Sequence, residues 1–346
     1  MKAVTIHEHG GRDRLRFEEI PDPGVGPGEI RLRVRACALN HLDIWVRRGL
    51  PNLRLGYPHI LGADIAGEVD ALGPGVRGVE VGQRALLSPG VSCGTCRECL
   101  AGRDNLCRSY GILGESRTGG NAELISVPAA NLLPFPDGLE FTEAAAIPLV
   151  FQTAWQMLVQ KARVRPGETV LVLAAGSGVG SAGVQIARLL GAEVIATASS
   201  EAKLASARAL GADHLVDHSD EAWPKTVRQL TGGRGVDVVM EHVGAATWEK
   251  SIKLCARGGR IVTCGATTGW DARTDLRHVF FRQISILGST MGSKSVLFDV
   301  VDHVRAGRLR PVVDRVLPLA DAAEAHRVLE EREAFGKVVL EVGDHS

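Results

Sequence analysis

The chain has 346 residues, 45% of them apolar and 23% charged, with 40 basic and 40 acidic side chains. This is the composition of a globular protein long enough for two domains, and its zero net charge gives no electrostatic case for nucleic acid or an acidic membrane surface. No apolar run approaches the roughly 18 residues of a membrane span, and the opening MKAVTIHEHGG lacks the apolar core of a secretion signal, so a cytoplasmic location with no membrane partner is expected.

Residues 1–90 read as a β-rich module. Short β-type runs at Lys2–Ile6, Glu29–Ala36, Gly67–Leu72 and Gln83–Leu87 are separated by Pro/Gly punctuation such as Pro21-Asp22-Pro23-Gly24 and Gly73-Pro74-Gly75. Strands at this spacing without long helices suggest a rolled-up barrel. A cysteine lobe follows at 88–110. Cys93, Cys96, Cys99 and Cys107 give C-x2-C-x2-C-x7-C, four of the seven cysteines in the chain. In a cytosolic protein such a cluster binds metal rather than forming disulfides. Four thiolates within so few positions can wrap one tetrahedral Zn²⁺. The rival, a cubane iron–sulfur cluster, wants a shorter last gap and a closing Cys-Pro. With all four positions filled by protein, the expected role is one structural zinc per subunit, holding a loop with little apolar core.

Ala122–Val127 returns to β, and Phe141–Lys161 reads as a helix that Pro148 should kink or split. From Arg165 strands and helices alternate. Strands are expected at Thr169–Leu173, Glu193–Thr197, His214–Val216, Val236–Glu241, Gly259–Cys264 and Ile284–Gly288. Helices are expected between them, at Gly180–Leu190, Ala202–Leu210, Ala222–Thr231, Thr247–Leu254 and Leu276–Phe281. That is α/β, a six-stranded doubly wound sheet. The tail, with helices at Ser295–Arg305 and Ala320–Glu331 and strands at Val312–Leu317 and Lys337–Val342, is assigned back to the first domain because six strands already complete the sheet. The expected domains are therefore 1–150 with 290–346, and 151–289.

The first strand of the doubly wound half runs into Ala174–Gly180, a small-residue turn that opens a helix. Such a turn lets backbone approach a pyrophosphate, and the helix N-terminus supplies free N–H groups and a positive dipole end. Gly176, Ser177, Gly178, Val179 and Gly180 are the candidate phosphate cradle. Ala175 and Ser177 stand where G-x-G-x-x-G has its first two glycines, so small size is kept in a shifted pattern. The residue that reads the adenosine ribose should lie about 20 positions further on, where an acid favours NAD. Here that place is Ser199, with Lys203 one helical turn beyond. An uncharged pocket with a nearby cation suits a 2′-phosphate, so NADP(H) is expected over NAD(H).

These features together resemble the medium-chain dehydrogenase/reductase superfamily. The similarity spans the opening MKAV, Ala71 to Arg84, the cysteine lobe, the nucleotide turn and the closing GKVVLEV at 336–342. It implies a GroES-like β-barrel domain plus a Rossmann domain, a small-molecule substrate, and a homodimer or homotetramer. The zinc alcohol dehydrogenase branch carries a second, catalytic zinc on a Cys, the His of a Gly-His-Glu motif, and a Cys or Glu near the domain junction. Those places fall here at Asn40, at Ala63 of Gly62-Ala63-Asp64, and near Leu149. None is a ligand of the family type. The quinone oxidoreductase branch is similar at Ala36, Asn40 and Asp43, its A-x-x-x-N-x-x-D pattern. That branch implies no catalytic zinc, a preference for NADPH, and hydride transfer to a quinone or α,β-unsaturated carbonyl. Its members usually lack the cysteine lobe, so the chain is a hybrid.

By the same resemblance Asn40 is the hydrogen-bond donor to the developing oxyanion and His41 a proton source. Thr153 touches the nicotinamide. Val243, Gly265 and Ala266 belong to strand ends that admit a flat cofactor, as does Ser289-Thr290-Met291, and Lys337 lies near the cofactor phosphates. Three alternatives stand: a zinc alcohol dehydrogenase with unusual ligands, for which Cys37, His59 and Asp64 are the candidates; NAD(H) as cofactor; and a non-enzymatic cofactor-binding structural protein.

Overall fold

A computed structural model describes residues 1–343 of the chain. They form two compact units, Met1–Leu149 with the segment from Ser293 onward, and Val150–Gly292. The sequence reading put these changes at 150/151 and 289/290.

The first unit opens with β1 (Lys2–Ile6), β2 (Arg16–Glu19), β3 (Glu29–Ala38), α1 (His41–Arg48), β4 (His59–Ile60), β5 (Asp64–Leu72) and β6 (Arg84–Leu87). It continues through β7 (Gly90–Val91), α2 (Arg97–Leu100), β8 (Gly111–Ile112), β9 (Leu124–Pro128), β10 (Leu132–Pro134) and α3 (Phe141–Ala145). The central strand is β3. Its sequence EIRLRVRACA alternates, so Ile30, Leu32, Val34 and Ala36 are buried while the arginines between them face outward. Arg31 and Arg33 pair with Asp70 across the strand, and Arg35 with Glu68. β5 crosses β3 so closely at Gly67 that a Cβ there would lie 2.1 Å from the Arg33 carbonyl oxygen.

The chain passes along α4 (Pro148–Trp155) into a π-helical turn at Gln156–Lys161. The helical run over Phe141–Lys161, which Pro148 is expected to kink or split, is split there and forms three pieces. Pro148 starts a new helix, where its missing N–H costs nothing. The second unit then alternates β11 (Thr169–Val172), α5 (Gly178–Leu189), β12 (Glu193–Ala198), α6 (Glu201–Ala209), β13 (His214–Asp217) and α7 (Trp223–Leu230). β14 (Val236–Glu241), α8 (Ala245–Leu254), β15 (Cys255–Thr263), α9 (Leu276–Arg282) and β16 (Ser285–Gly288) complete it. All pairs are parallel, in the order β13-β12-β11-β14-β15-β16, which is the doubly wound arrangement. Strand β15 starts four residues before its expected Gly259, at a register shift opposite Val236–Val238.

From Ser293 the chain rejoins the first unit with α10 (Ser295–Arg305), β17 (Val313–Pro318), α11 (Ala322–Glu330) and β18 (Lys337–Glu341). β18 pairs antiparallel with β3, so the large sheet reads β10-β6-β5-β3-β18-β17, with β9 also on β3. The main core of this unit joins Ile30, Leu32, Val34 and Ile65 to Val328, Val338 and Leu340 of the tail.

Candidate active site and metal centre

Asn40 sits where β3 gives way to α1. The Asp43 carboxylate reaches back to the Asn40 N–H at 2.7 Å, one half of a capping box, and also accepts from the Gly62 N–H at 2.8 Å. Burial pushes the Asp43 carboxyl up to about 6, although both amides favour its ionised form. The Asn40 side chain is buried and fully oriented. Lys337 Nζ donates to Asn40 Oδ1 at 2.6 Å, and Asn40 Nδ2 donates to Asp64 Oδ2 at 2.9 Å. Lys337 Nζ also donates to Asp64 Oδ2 at 2.8 Å, and Asp64 Oδ1 accepts from the Leu149 N–H at 2.7 Å. Lys337 is 3% exposed and Asp64 0%.

The sequence reading set Lys337 near the cofactor phosphates; the structure places its ammonium in this network instead. A lysine buried this deeply needs a carboxylate, and β18 brings it to Asp64. The three positions at which the resemblance looks for a catalytic metal are all in this neighbourhood. Asn40 and Asp64 are tied to each other, Ala63 precedes Asp64, and Leu149 binds Asp64 through its backbone. Their side chains offer an amide, a methyl and an isobutyl group, which do not fit a zinc donor set. Of the suggested alternative ligands, His59 Nε2 lies 3.1 Å from the Gly114 carbonyl oxygen, and burial drives the Cys37 thiol well up in pKa. His41, the first residue of α1, is half-buried with its ring 6.2 Å from that of Trp45.

The far end of α1 is anchored by Arg47, which is fully buried. Its guanidinium donates to the Gly10 carbonyl, to Glu330 and, at 3.0 Å, to His326 Nδ1. His326 is also fully buried. Desolvation and the facing guanidinium push its pKa down to about 3, so the ring is neutral and accepts through Nδ1.

In the cysteine lobe the sulfurs of Cys93, Cys96, Cys99 and Cys107 lie within 4.8 Å of one another. Cys93–Cys99 is 3.8 Å, and Cys96–Cys99 and Cys93–Cys107 are 3.5 Å. A tetrahedron with Zn–S of about 2.3 Å has sulfur–sulfur edges of about 3.8 Å, so the cage already has nearly the size zinc requires. Among the described residues it is the one cluster of three or more His, Cys, Asp or Glu donors arranged to hold a metal. Backbone hydrogen bonds from Thr95 and Cys96 draw the Cys93 thiol down to about 6, towards the thiolate a metal needs. The lobe is tied to the barrel unit by Asp104, which accepts from the Lys294 N–H at 2.9 Å ahead of α10.

In the second unit the turn after β11 is held by Thr197, whose hydroxyl accepts from Ala174 N and whose carbonyl accepts from Ala175 N. Ala174 takes a left-handed φ of 47°. Ser177 caps α5, its Oγ accepting from Gly180 N at 2.9 Å. The N–H groups of Gly178 and Val179 stand in the first turn, where a helix offers no intrahelical acceptor and can take an anion. A Cβ on Gly180 would stand 2.3 Å from the Ala174 carbonyl oxygen, and one on Gly183 would strike Met240 Sδ at 2.4 Å. Gly178, Gly180 and Gly183 therefore have the literal G-x-G-x-x-G spacing three positions later than the frame that starts at Ala175, with Gly183 setting the approach of α5 to β14.

Ser199 is exposed after β12, and Ser200 caps α6 by accepting from Lys203 N. At the carboxyl ends of β14 and β15, Val243, Gly265 and Ala266 are half-buried. Gly244, at φ 93°, lets its backbone pass close to Ala266. Two hydroxyls of this unit, Thr153 Oγ1 and Ser289 Oγ, are buried with no hydrogen-bond partner among the described residues. Ser289 follows β16 at the carboxyl edge of the doubly wound sheet and Thr153 lies on α4; orphaned hydroxyls of this kind, together with a glycine cradle, fit a dinucleotide.

A four-cysteine lobe with the dimensions of a zinc cage, in one chain with a β-rich unit and a doubly wound nucleotide unit, is the architecture of a nicotinamide-dependent oxidoreductase. Residues 26–137 match the alcohol dehydrogenase GroES-like domain, and 178–306 the zinc-binding dehydrogenase domain. The chain belongs to the medium-chain dehydrogenase/reductase superfamily. A 2-haloacrylate reductase from a Burkholderia species is 33% identical, over 98% of both chains. A quinone oxidoreductase from Pseudomonas aeruginosa is 31% identical, over 98% of this chain and 99% of its own. The crystal structure of an NAD-dependent alcohol dehydrogenase is 56% identical, with a TM-score of 0.96, covering 99% of this chain and all of that one.

Proposed function

We propose that the protein transfers hydride from NADP(H) to a quinone or an α,β-unsaturated carbonyl compound, with one structural zinc per subunit in the cysteine lobe. The observation that carries this reading is the buried Asn40–Asp64–Lys337 network, which stands where a carbonyl-polarising metal would need ligands. Reduction of a simple carbonyl calls for a Lewis acid. A conjugated acceptor spreads the incoming charge itself and needs only a hydrogen-bond donor at its oxygen.

The bound dinucleotide supplies the hydride. Gly176 to Gly180 cradle the pyrophosphate, Ser199 and Lys203 meet the ribose 2′-phosphate, and Thr153, Val243, Gly265 and Ala266 flank the nicotinamide. Asn40 Nδ2 donates to the developing oxyanion, and His41 supplies the proton that completes the reduction. The 2-haloacrylate reductase and the quinone oxidoreductase support the acceptor class by name. A second reading, an NAD-dependent alcohol dehydrogenase, is favoured by the name of the 56% identical neighbour.

One experiment separates them. Oxidation of NADPH and NADH is followed against quinones, enals, enoyl thioesters, aldehydes and ketones, with zinc measured on the same sample. Turnover of conjugated acceptors at one zinc per chain is expected. Turnover confined to aldehydes or ketones, with two zincs, overturns the proposal. A cytoplasmic homodimer or homotetramer is also proposed. No helix among the described residues is long and apolar enough to cross a membrane. The edge strand β16 and the adjacent α9 expose Ile286, Phe280 and Phe281, a face suited to a second copy. Light scattering that reports a monomer at micromolar concentration would refute the oligomer.

A further inference from the structure

We infer that Lys337 is a positioning residue for Asn40, an internal cation that aims and polarises the amide which meets the substrate oxygen. The inference rests on the reading of Asn40 as that donor. An ammonium can only donate, so the atom 2.6 Å from Lys337 Nζ is the amide oxygen; a carboxylate accepts, so the atom 2.9 Å from Asp64 Oδ2 is the amide nitrogen. The two charged partners leave the amide a single orientation. They also share one carboxylate oxygen, since Lys337 Nζ lies 2.8 Å from Asp64 Oδ2. The three groups close a ring in which the ammonium charge is balanced by Asp64.

Of the two N–H bonds on Asn40 Nδ2, one is spent on Asp64. The other has only the Ala38 carbonyl oxygen at 3.5 Å, the outer limit of a hydrogen bond. That second N–H is the donor left for a substrate oxygen. A cation on the amide oxygen withdraws electron density through the C–N bond and strengthens that N–H, as charge-assisted bonds do within a low-dielectric interior. Asp64 holds the nitrogen so that it does not turn as charge builds, and is itself fixed at Oδ1 by the Leu149 N–H. Asp43 acts on the backbone of the same residue and sets the start of α1. The positive charge a bound metal would bring to the reacting oxygen directly is thus supplied at one remove, through an amide.

The test is a double-mutant cycle on the full-length, zinc-loaded enzyme, with the acceptor from the panel above that turns over fastest. Lys337→Met alone leaves Asp64 buried and unpaired and can fail to fold, so Asp64→Asn/Lys337→Met is made beside it. The expected result is a fall in kcat of about 10- to 100-fold in both, somewhat less than the loss of a whole oxyanion donor. KM for the acceptor and Kd for NADPH should stay within about threefold, and Lys337→Arg should recover part of kcat. Asn40→Ala should cost as much or more, and adding Asp64→Asn/Lys337→Met to it should cost almost nothing further, because both act through one amide. A double variant with wild-type kcat, or one that multiplies its full loss onto Asn40→Ala, overturns the inference while leaving Asn40 as donor. Asn40→Ala at wild-type kcat, or no turnover with any acceptor, instead sinks the reading of Asn40 itself and the inference with it.

Discussion

Acidification should loosen the barrel unit through His326. Unfolded, this histidine takes up a proton near pH 6.5; folded, burial and the Arg47 guanidinium hold it neutral down to about 3. Between those values the unfolded chain binds more protons, so stability rises with pH through the window and is lost as pH falls below 6.5. One unit of pH is about 1.4 kcal/mol for a fully linked group, so lowering pH from 7.5 to 5 costs roughly 2 kcal/mol. For a unit of this size that is about 4–8 °C in Tm. Other groups titrate over the same range, so the measurement is a difference. His326→Gln keeps an oxygen acceptor for Arg47 without a titrating ring, and its Tm should fall less than that of the wild type by that amount. Calorimetry at pH 7.5, 6 and 5 reads it. Parallel Tm curves for the two proteins refute the argument, because they would mean that His326 is protonated alike in both states.

Stripping zinc with a chelator, or Cys107→Ser, should lower Tm and speed tryptic cleavage after Arg97, Arg103 and Arg108, while Kd for NADPH stays within about twofold; an unchanged digestion pattern counts against a structural metal. Gly180→Ala drives a methyl into the Ala174 carbonyl and should weaken NADPH binding at least tenfold. Gly183→Ala presses only on the flexible Met240 and should cost about 1–3 kcal/mol of stability; equal NADPH affinity in the two variants contradicts this division. Ser199→Asp should raise KM for NADPH and lower it for NADH, and a ratio of the two that does not move removes Ser199 from cofactor choice.

The doubly wound half is readable because its central strands are buried on both faces. Val170, Leu171 and Val172 give an unbroken apolar run, and glycines mark the turns. The cysteine lobe was readable because metal-ligand spacing is local. What stayed hidden had long range or a small signal. Helix α1 is eight residues with a buried arginine; its clue, Asn40 followed three positions on by Asp43, is a capping-box pattern. Gly183 lies beyond the expected cradle because a frame that starts at Ala175 ends at Gly180, three positions short. Lys337 meets Asp64 across 273 positions of sequence and Arg47 meets His326 across 279, and neither periodicity nor composition carries such pairings.

The ring of Lys337, Asp64 and Asn40 bears on redesign. Grafting a second metal site onto this scaffold invites three replacements, Asn40→Cys, Ala63→His and Leu149→Cys. Those three would bring a divalent ion to the doorstep of a resident ammonium and remove the amide oxygen that helps to seat it. A fourth change, discharging position 337, is therefore part of the minimal recipe, and libraries that leave that lysine alone will select against the metal they are built to capture.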